Sequence, residues 1–142
     1  RRAEEHRGTA TEVDAGQHGV GGQNRQGGQP QGNYRGVHRL NRDEEGRVKC
    51  VACFMCATAC PADCIHIEGE ESPWDDREKY PRKFDLDELR CIYCGMCEEA
   101  CPVDAIELTP VYDIVGLTRQ EMIFDKEKLL AVYDLTIDDK PM

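Results

Sequence analysis

Eight of the nine cysteines fall into two runs of identical spacing, and this limits what the chain can become more than any other feature. The first run is Cys50, Cys53, Cys56 and Cys60, followed by Pro61. The second is Cys91, Cys94, Cys97 and Cys101, followed by Pro102. A thiolate at every third residue lets a tight loop curl around one small group, with backbone N–H groups aimed at its sulfurs. The longer last step gives the fourth cysteine a short helical turn, which swings it away from its own loop. The proline then stops the chain from continuing unchanged. Zinc is the competing occupant, since paired cysteines are also zinc ligands and eight thiolates could hold two ions. Zinc ribbons, however, present separated cysteine pairs rather than runs of three thiolates with a trailing fourth and a proline. The doubled run therefore favours iron–sulfur clusters.

Each run reads C-x2-C-x2-C-x3-C-P, the spacing of bacterial-type two-cluster ferredoxins, in which the fourth cysteine of a run ligates the other cluster. The expected ligand sets are Cys50, Cys53, Cys56 and Cys101 for one 4Fe–4S cluster, and Cys91, Cys94, Cys97 and Cys60 for the second. The repeat has a period of 41 residues, carrying Cys50 to Cys91 and Cys60 to Cys101. Met55 also maps to Met96, Ala59 to Ala100, Asp63 to Asp104 and Ile65 to Ile106. Two similar halves related by a pseudo-two-fold are expected, each a short strand, a cluster loop, a helical turn and a strand. Phe84-Asp85-Leu86, Ile65-His66-Ile67 and Ile106-Glu107-Leu108 alternate as half-buried strands do, which puts His66 and Glu107 on the surface. The fold class is α+β: a ferredoxin-like domain over 50–110, with repeats 50–68 and 91–109. Cys64, the ninth cysteine, maps to Ala105, so the position wants a small residue and Cys64 reads as a buried apolar one. Phe54, Met55, Ile92, Tyr93 and Met96 lie inside the loops and are expected to keep water from the clusters.

The remainder of the 142 residues adds less. Hydrophobic residues make up 39% and mean hydropathy is −0.65, so the core is small and metal binding has to supply folding energy. Thiolates kept free for iron imply a reducing compartment, and no apolar run approaches the roughly 20 residues of a membrane-spanning helix. Net charge is −10, and residues 1–33 are neutral within it, so the excess lies in 34–142. That balance disfavours nucleic acid and suits either a solvated surface or docking on basic protein partners.

Residues 1–33 are rich in Gly and Gln and too poor in apolar side chains to offset the entropy of ordering, so a disordered segment is expected. The chain begins with Arg1 rather than Met, as a processed, trimmed or incomplete chain would. Residues 34–49 are a locally basic approach segment in which His38 reads as an exposed loop histidine. Residues 69–83 combine two prolines with many charges and read as a loop, with Trp74 and Tyr80 as its anchors. Thr118-Arg119-Gln120-Glu121 matches a capping box, which predicts a short helix running through Lys126 to Ala131. On its own that helix has nothing to pack on, so 111–142 reads as an extended arm for docking.

Two stretches carry a closer resemblance. RCIYCGMCEEACPVDAIELTP followed by GLTRQEMIFDKEKLL resembles subunit I of NADH-quinone oxidoreductase, the TYKY iron–sulfur family of respiratory complex I. RGVHRLNRDEEGRVKCVACFMCATACPADCIHIE is similar to the same family, and the likeness covers about residues 34–133. The resemblance implies a relay with two 4Fe–4S clusters, passing single electrons from the NADH and flavin side toward a terminal cluster and quinone. It implies no catalytic acid, base or nucleophile and no small-molecule substrate on this chain. Its partners would be the peripheral-arm iron–sulfur subunits and the quinone-site subunits, with peripheral membrane association through them on the cytoplasmic side of a bacterial inner membrane. Family members usually begin with amphipathic helices resting on the membrane arm. Residues 1–33 show no such stripe, so no membrane contact is expected from them. A ferredoxin-type subunit of a membrane-bound hydrogenase and a free two-cluster ferredoxin share the module and stand as alternatives.

Overall fold

The computed structural model describes residues 34–138, and the expected disorder of 1–33 lies outside the described residues. Alternation decides most strands. In β2 (Ile65–Glu71) Ile65 and Ile67 are buried while His66 between them is exposed. β3 (Lys79–Asp87) buries Phe84 and Leu86, and β4 (Ile106–Leu108) buries Ile106 and Leu108. β2 and β3 pair antiparallel, with Ile65 opposite Leu86 and Ile67 opposite Phe84, so one face of the hairpin is apolar. A two-residue strand, β5 (Ile123–Phe124), extends this sheet in the order β2-β3-β5. A second sheet pairs β1 (His38–Leu40) with β4, setting His38 opposite Leu108 and Leu40 opposite Ile106. One hydrophobic core draws on both sheets, through Val37, Leu40, Phe84, Leu86, Leu108 and Phe124.

The reading of 69–83 as a loop is corrected. β2 and β3 continue through most of it, leaving 72–78 to reverse the chain. Pro81 is accommodated because it sits opposite Gly69 beside a bulge at Glu68/Gly69, and β5 pairs only with Leu86 and Asp87. No strand asks the missing Pro81 N–H for a bond. Two of the charges gain partners across the hairpin: Arg82 pairs with Glu68, and the Tyr80 hydroxyl donates to Glu70 Oε2 at 3.1 Å. Trp74 packs edge-on against Tyr80 at 5.4 Å, with the Arg47 and Arg77 guanidinium groups 4.9 and 5.3 Å from its ring.

The expected helix starts later than the capping box suggests. Thr118 and Glu121 do bond through their side chains, at 3.2 Å, but they close only a 3₁₀ turn over Gln120–Met122. Ile123 and Phe124 are then drawn into β5, where β3 supplies a partner. The helix, α3 (Lys126–Leu135), is capped by Asp125, whose carboxylate accepts the Lys128 N–H at 2.8 Å. The reading of this arm as lacking a core is corrected too. Leu129 and Val132 are fully buried and Leu130 is 4% exposed, all within the common core, and α3 lies against β1. Burial of this kind is worth about 1.5–3 kcal/mol per side chain.

Polar clasps hold α3 in place. Arg39 on β1 is 4% exposed and donates to Glu107 Oε2 at 2.9 and 3.1 Å and to the Thr136 carbonyl and hydroxyl. Glu107 is therefore not the free surface residue that alternation implies: its side chain is 12% exposed because Arg39 lies across it. Among the described residues, no helix is long and apolar enough to cross a membrane.

Candidate metal centres

The two cysteine runs fold alike. Ala52, Phe54 and Asp63 adopt left-handed φ values of 48, 64 and 48°. Tyr93, Gly95 and Asp104, each 41 positions on, adopt 52, 83 and 47°. Non-glycine residues rarely take this region, so five of them at matched positions show loops bent by a common need. That need is to turn successive thiols inward. The Ala52 N–H points at Cys50 Sγ at 3.4 Å, and the Tyr93 N–H at Cys91 Sγ at 3.2 Å. The Ala105 N–H lies 3.1 Å from Cys101 Sγ. Each loop then enters a short helix, α1 (Met55–Ala59) or α2 (Met96–Glu99), and these two helices touch.

Two cavities result. One is lined by Cys50, Cys53, Cys56 and Cys101 among apolar side chains that include Leu40 and Phe54. The other is lined by Cys91, Cys94, Cys97 and Cys60, together with Cys64 and His38. Each encloses about 300 or 280 Å³ of space partly open to solvent. All eight cysteines of the runs are thus brought together in two fours, and each four takes its last member from the other run.

The electrostatics suit a soft cation. Burial pushes the thiols of Cys50 and Cys56 up to about 11 and about 12, so neither ionises readily until something positive replaces the proton. Cys91 behaves oppositely. The Cys64 thiol and the His38 imidazole outweigh its burial and hold it down, to about 5, while the same contact keeps the proton on Cys64. Four convergent sulfurs from the runs in each cavity, with Cys64 a fifth in the second, together with apolar walls and inward N–H groups are a donor set that fits an iron–sulfur cluster.

His38 corrects the reading of an exposed loop residue. It is 1% exposed, because β1 pairs with β4 and carries it inside. Its Nδ1 lies 3.3 Å from Glu88 Oε1 and its Nε2 3.9 Å from Cys91 Sγ, and its ring stacks on Tyr93 at 5.8 Å. Burial lowers its proton affinity, but contacts with Cys91, Cys97 and Glu88 outweigh that and the net shift is upward. His38, Glu88 and Cys91 bring their ligand atoms within 4.8 Å of one another. Glu88 carries no sequence signal of its own; only the turn after β3 places it there. Of the loop residues expected to exclude water, Phe54 and Ile92 line the cavities, whereas Met55 and Met96 are half-exposed and line neither. Cys64 is buried as expected, with its Sγ 3.4 Å from Cys60 Sγ.

Residues 49–105 match the family model of a 4Fe-4S dicluster domain. NADH-quinone oxidoreductase subunit I of Campylobacter fetus subsp. fetus (strain 82-40) is 55% identical over 97 residues, covering 68% of this chain and 58% of that protein. Subunit I 1 of Anaeromyxobacter dehalogenans (strain 2CP-C) is 62% identical over 56 residues, 39% of this chain and 23% of the relative. Subunit I of Anaeromyxobacter sp. (strain Fw109-5) is 64% identical over 56 residues, 39% and 24% of the two chains. The chain spans between about a quarter and three-fifths of the length of these relatives.

Proposed function

We propose that, over the residues it shares with these relatives, the chain is a member of the NADH-quinone oxidoreductase subunit I family and relays single electrons between neighbouring subunits of such a complex. The family carries two 4Fe–4S clusters, and when bound each supplies one-electron redox chemistry. The ligand sets we propose are Cys50, Cys53, Cys56 and Cys101 for the first cluster, and Cys91, Cys94, Cys97 and Cys60 for the second. The observation that carries this is the sorting of eight sulfurs into two cavities along those lines. The matched left-handed positions support a pseudo-two-fold relation between the halves.

The chain's own residues have a limited task in this reading. The thiolates hold iron, the inward N–H groups stabilise charge on sulfur, and Leu40, Phe54, Ile65 and Ile106 keep the cavities dry. No proton is transferred by a side chain and no substrate is turned over here. NADH, flavin and quinone sites belong to partner subunits, and association with the cytoplasmic face of an inner membrane is peripheral, through them.

Anaerobic fractionation of the source cells, following this chain by mass spectrometry, tests the proposal. The chain is expected with the membranes, in a large assembly that oxidises NADH. Recovery as a small soluble protein with about eight irons would make it a ferredoxin-type carrier, and recovery with zinc in place of iron would remove the redox reading altogether.

A further inference from the structure

The two cavities are built from equivalent positions but not from equivalent chemistry. Val51 and Ile106 line the first, and their counterparts Ile92 and Ile65 line the second. The match fails at Ala105, which lines the first cavity with a methyl group where Cys64 lines the second with a thiol. It fails again in the paired strands, where His38 opposite Leu108 lines the second cavity while its equivalent, Phe84 opposite Ile67, lines the first. Both polar groups are out of water, Cys64 at 6% exposure and His38 at 1%. Both reach ligand sulfurs of the same set: Cys64 Sγ lies 3.4 Å from Cys60 Sγ, and His38 Nε2 lies 3.9 Å from Cys91 Sγ.

Resting on the two-cluster reading above, we propose that Cys64 and His38 are positioning residues that make the second cavity hold the more easily reduced of the two clusters. Reduction adds one electron, and that negative charge spreads over the sulfurs. A polar hydrogen directed at a ligand sulfur stabilises the added charge, the more so where the local dielectric is low. An S–H is a weak donor, so its single contribution is modest. The first cavity places apolar groups at the corresponding positions and gives its cluster no such help. The pair is thus graded in potential by side chains that ligate nothing.

The test uses the full-length chain with clusters reconstituted anaerobically, titrated with dithionite and followed by electron paramagnetic resonance. Iron and acid-labile sulfide are measured first. A chain that takes up no pair of clusters sinks the two-cluster reading itself, before any potential is compared. Given two clusters, the wild type is expected to show two midpoints. Cys64→Ala should lower the higher midpoint alone, by a several-fold to about tenfold change in the reduced-to-oxidised ratio, the latter being about 59 mV for one electron. Ala105→Cys, which installs the thiol in the other cavity, should raise the lower midpoint and narrow the gap. The proposal is overturned if Cys64→Ala leaves both midpoints in place or moves only the lower one. Loss of a cluster in Cys64→Ala also overturns it, since the thiol would then be a ligand rather than a neighbour.

Discussion

Cys60 and Cys101 are the residues whose positions say most about how the molecule is tied together. Each leaves its own run at the end of a short helix and lines the cavity of the other. On the ligand sets proposed above, Cys60→Ala is expected to damage the cluster assigned to Cys91, Cys94 and Cys97, and Cys101→Ala the one assigned to Cys50, Cys53 and Cys56. Electron paramagnetic resonance of the two reduced variants checks this, because a different signal should be lost in each. If each substitution removed the cluster of its own run, the crossed arrangement would be wrong. His38 makes a related point at the same scale. Nothing local tells a histidine in an arginine-rich segment that it will be 1% exposed. Its burial comes from pairing with a strand 70 positions later, with His38 opposite Leu108.

At the scale of elements, α3 depends on contacts that are distant in sequence. Its apolar face reaches β1, and two arginines from the approach segment close over its end. Arg42 donates to both carboxylate oxygens of Asp134, at 2.8 and 2.9 Å. That hydrogen bond holds the Asp134 carboxyl below its ordinary range, against a small opposing effect of burial. A carboxyl depressed in the folded state stabilises the fold above its unfolded value, near 3.9. The stabilisation is lost as pH falls through the lowered folded value. Removing the pair should loosen α3 while leaving the sheets folded. Because the Asp134 side chain is 54% exposed, the effect is worth no more than about 1 kcal/mol. Amide exchange of α3 at neutral pH, where the clusters are intact, measures it in the wild type and in Asp134→Asn. The variant should exchange faster in α3 and equally in the sheets. Equal exchange of α3 in the two proteins would show that the pair does not hold the helix.

For the whole molecule, the clusters and the core are one structure. Cys50, Cys56 and Cys97 belong to the same buried set as Leu40, Phe84 and Leu129. A chain with mean hydropathy of −0.65 and a core this small relies on metal for part of its folding energy. Chelation of iron under reducing conditions should therefore abolish cooperative thermal unfolding as well as the visible absorbance. Near-ultraviolet circular dichroism through Trp74 and the tyrosines reports it. A metal-free chain that kept a sharp transition would show that the two sheets and α3 suffice alone.

The cysteine spacing, its trailing prolines and the 41-residue repeat were enough to specify two thiolate loops and their content, because ligand chemistry is local and tolerates few alternatives. Period-two alternation likewise marked the parts of β2, β3 and β4 that face the core. What alternation could not reveal was the partner of each strand. The pairing of β1 with β4 buries His38 and Arg39, extends Arg39 across Glu107, and gives α3 a surface to cover. β5 takes Ile123 and Phe124 out of a helix for the same reason, a free strand edge beside them. The sequence by itself determined which sulfurs converge and how they are grouped in the two cavities. Only the tertiary structure decided which other side chains meet those sulfurs, since a buried neighbour is set by contacts between segments that no local pattern records.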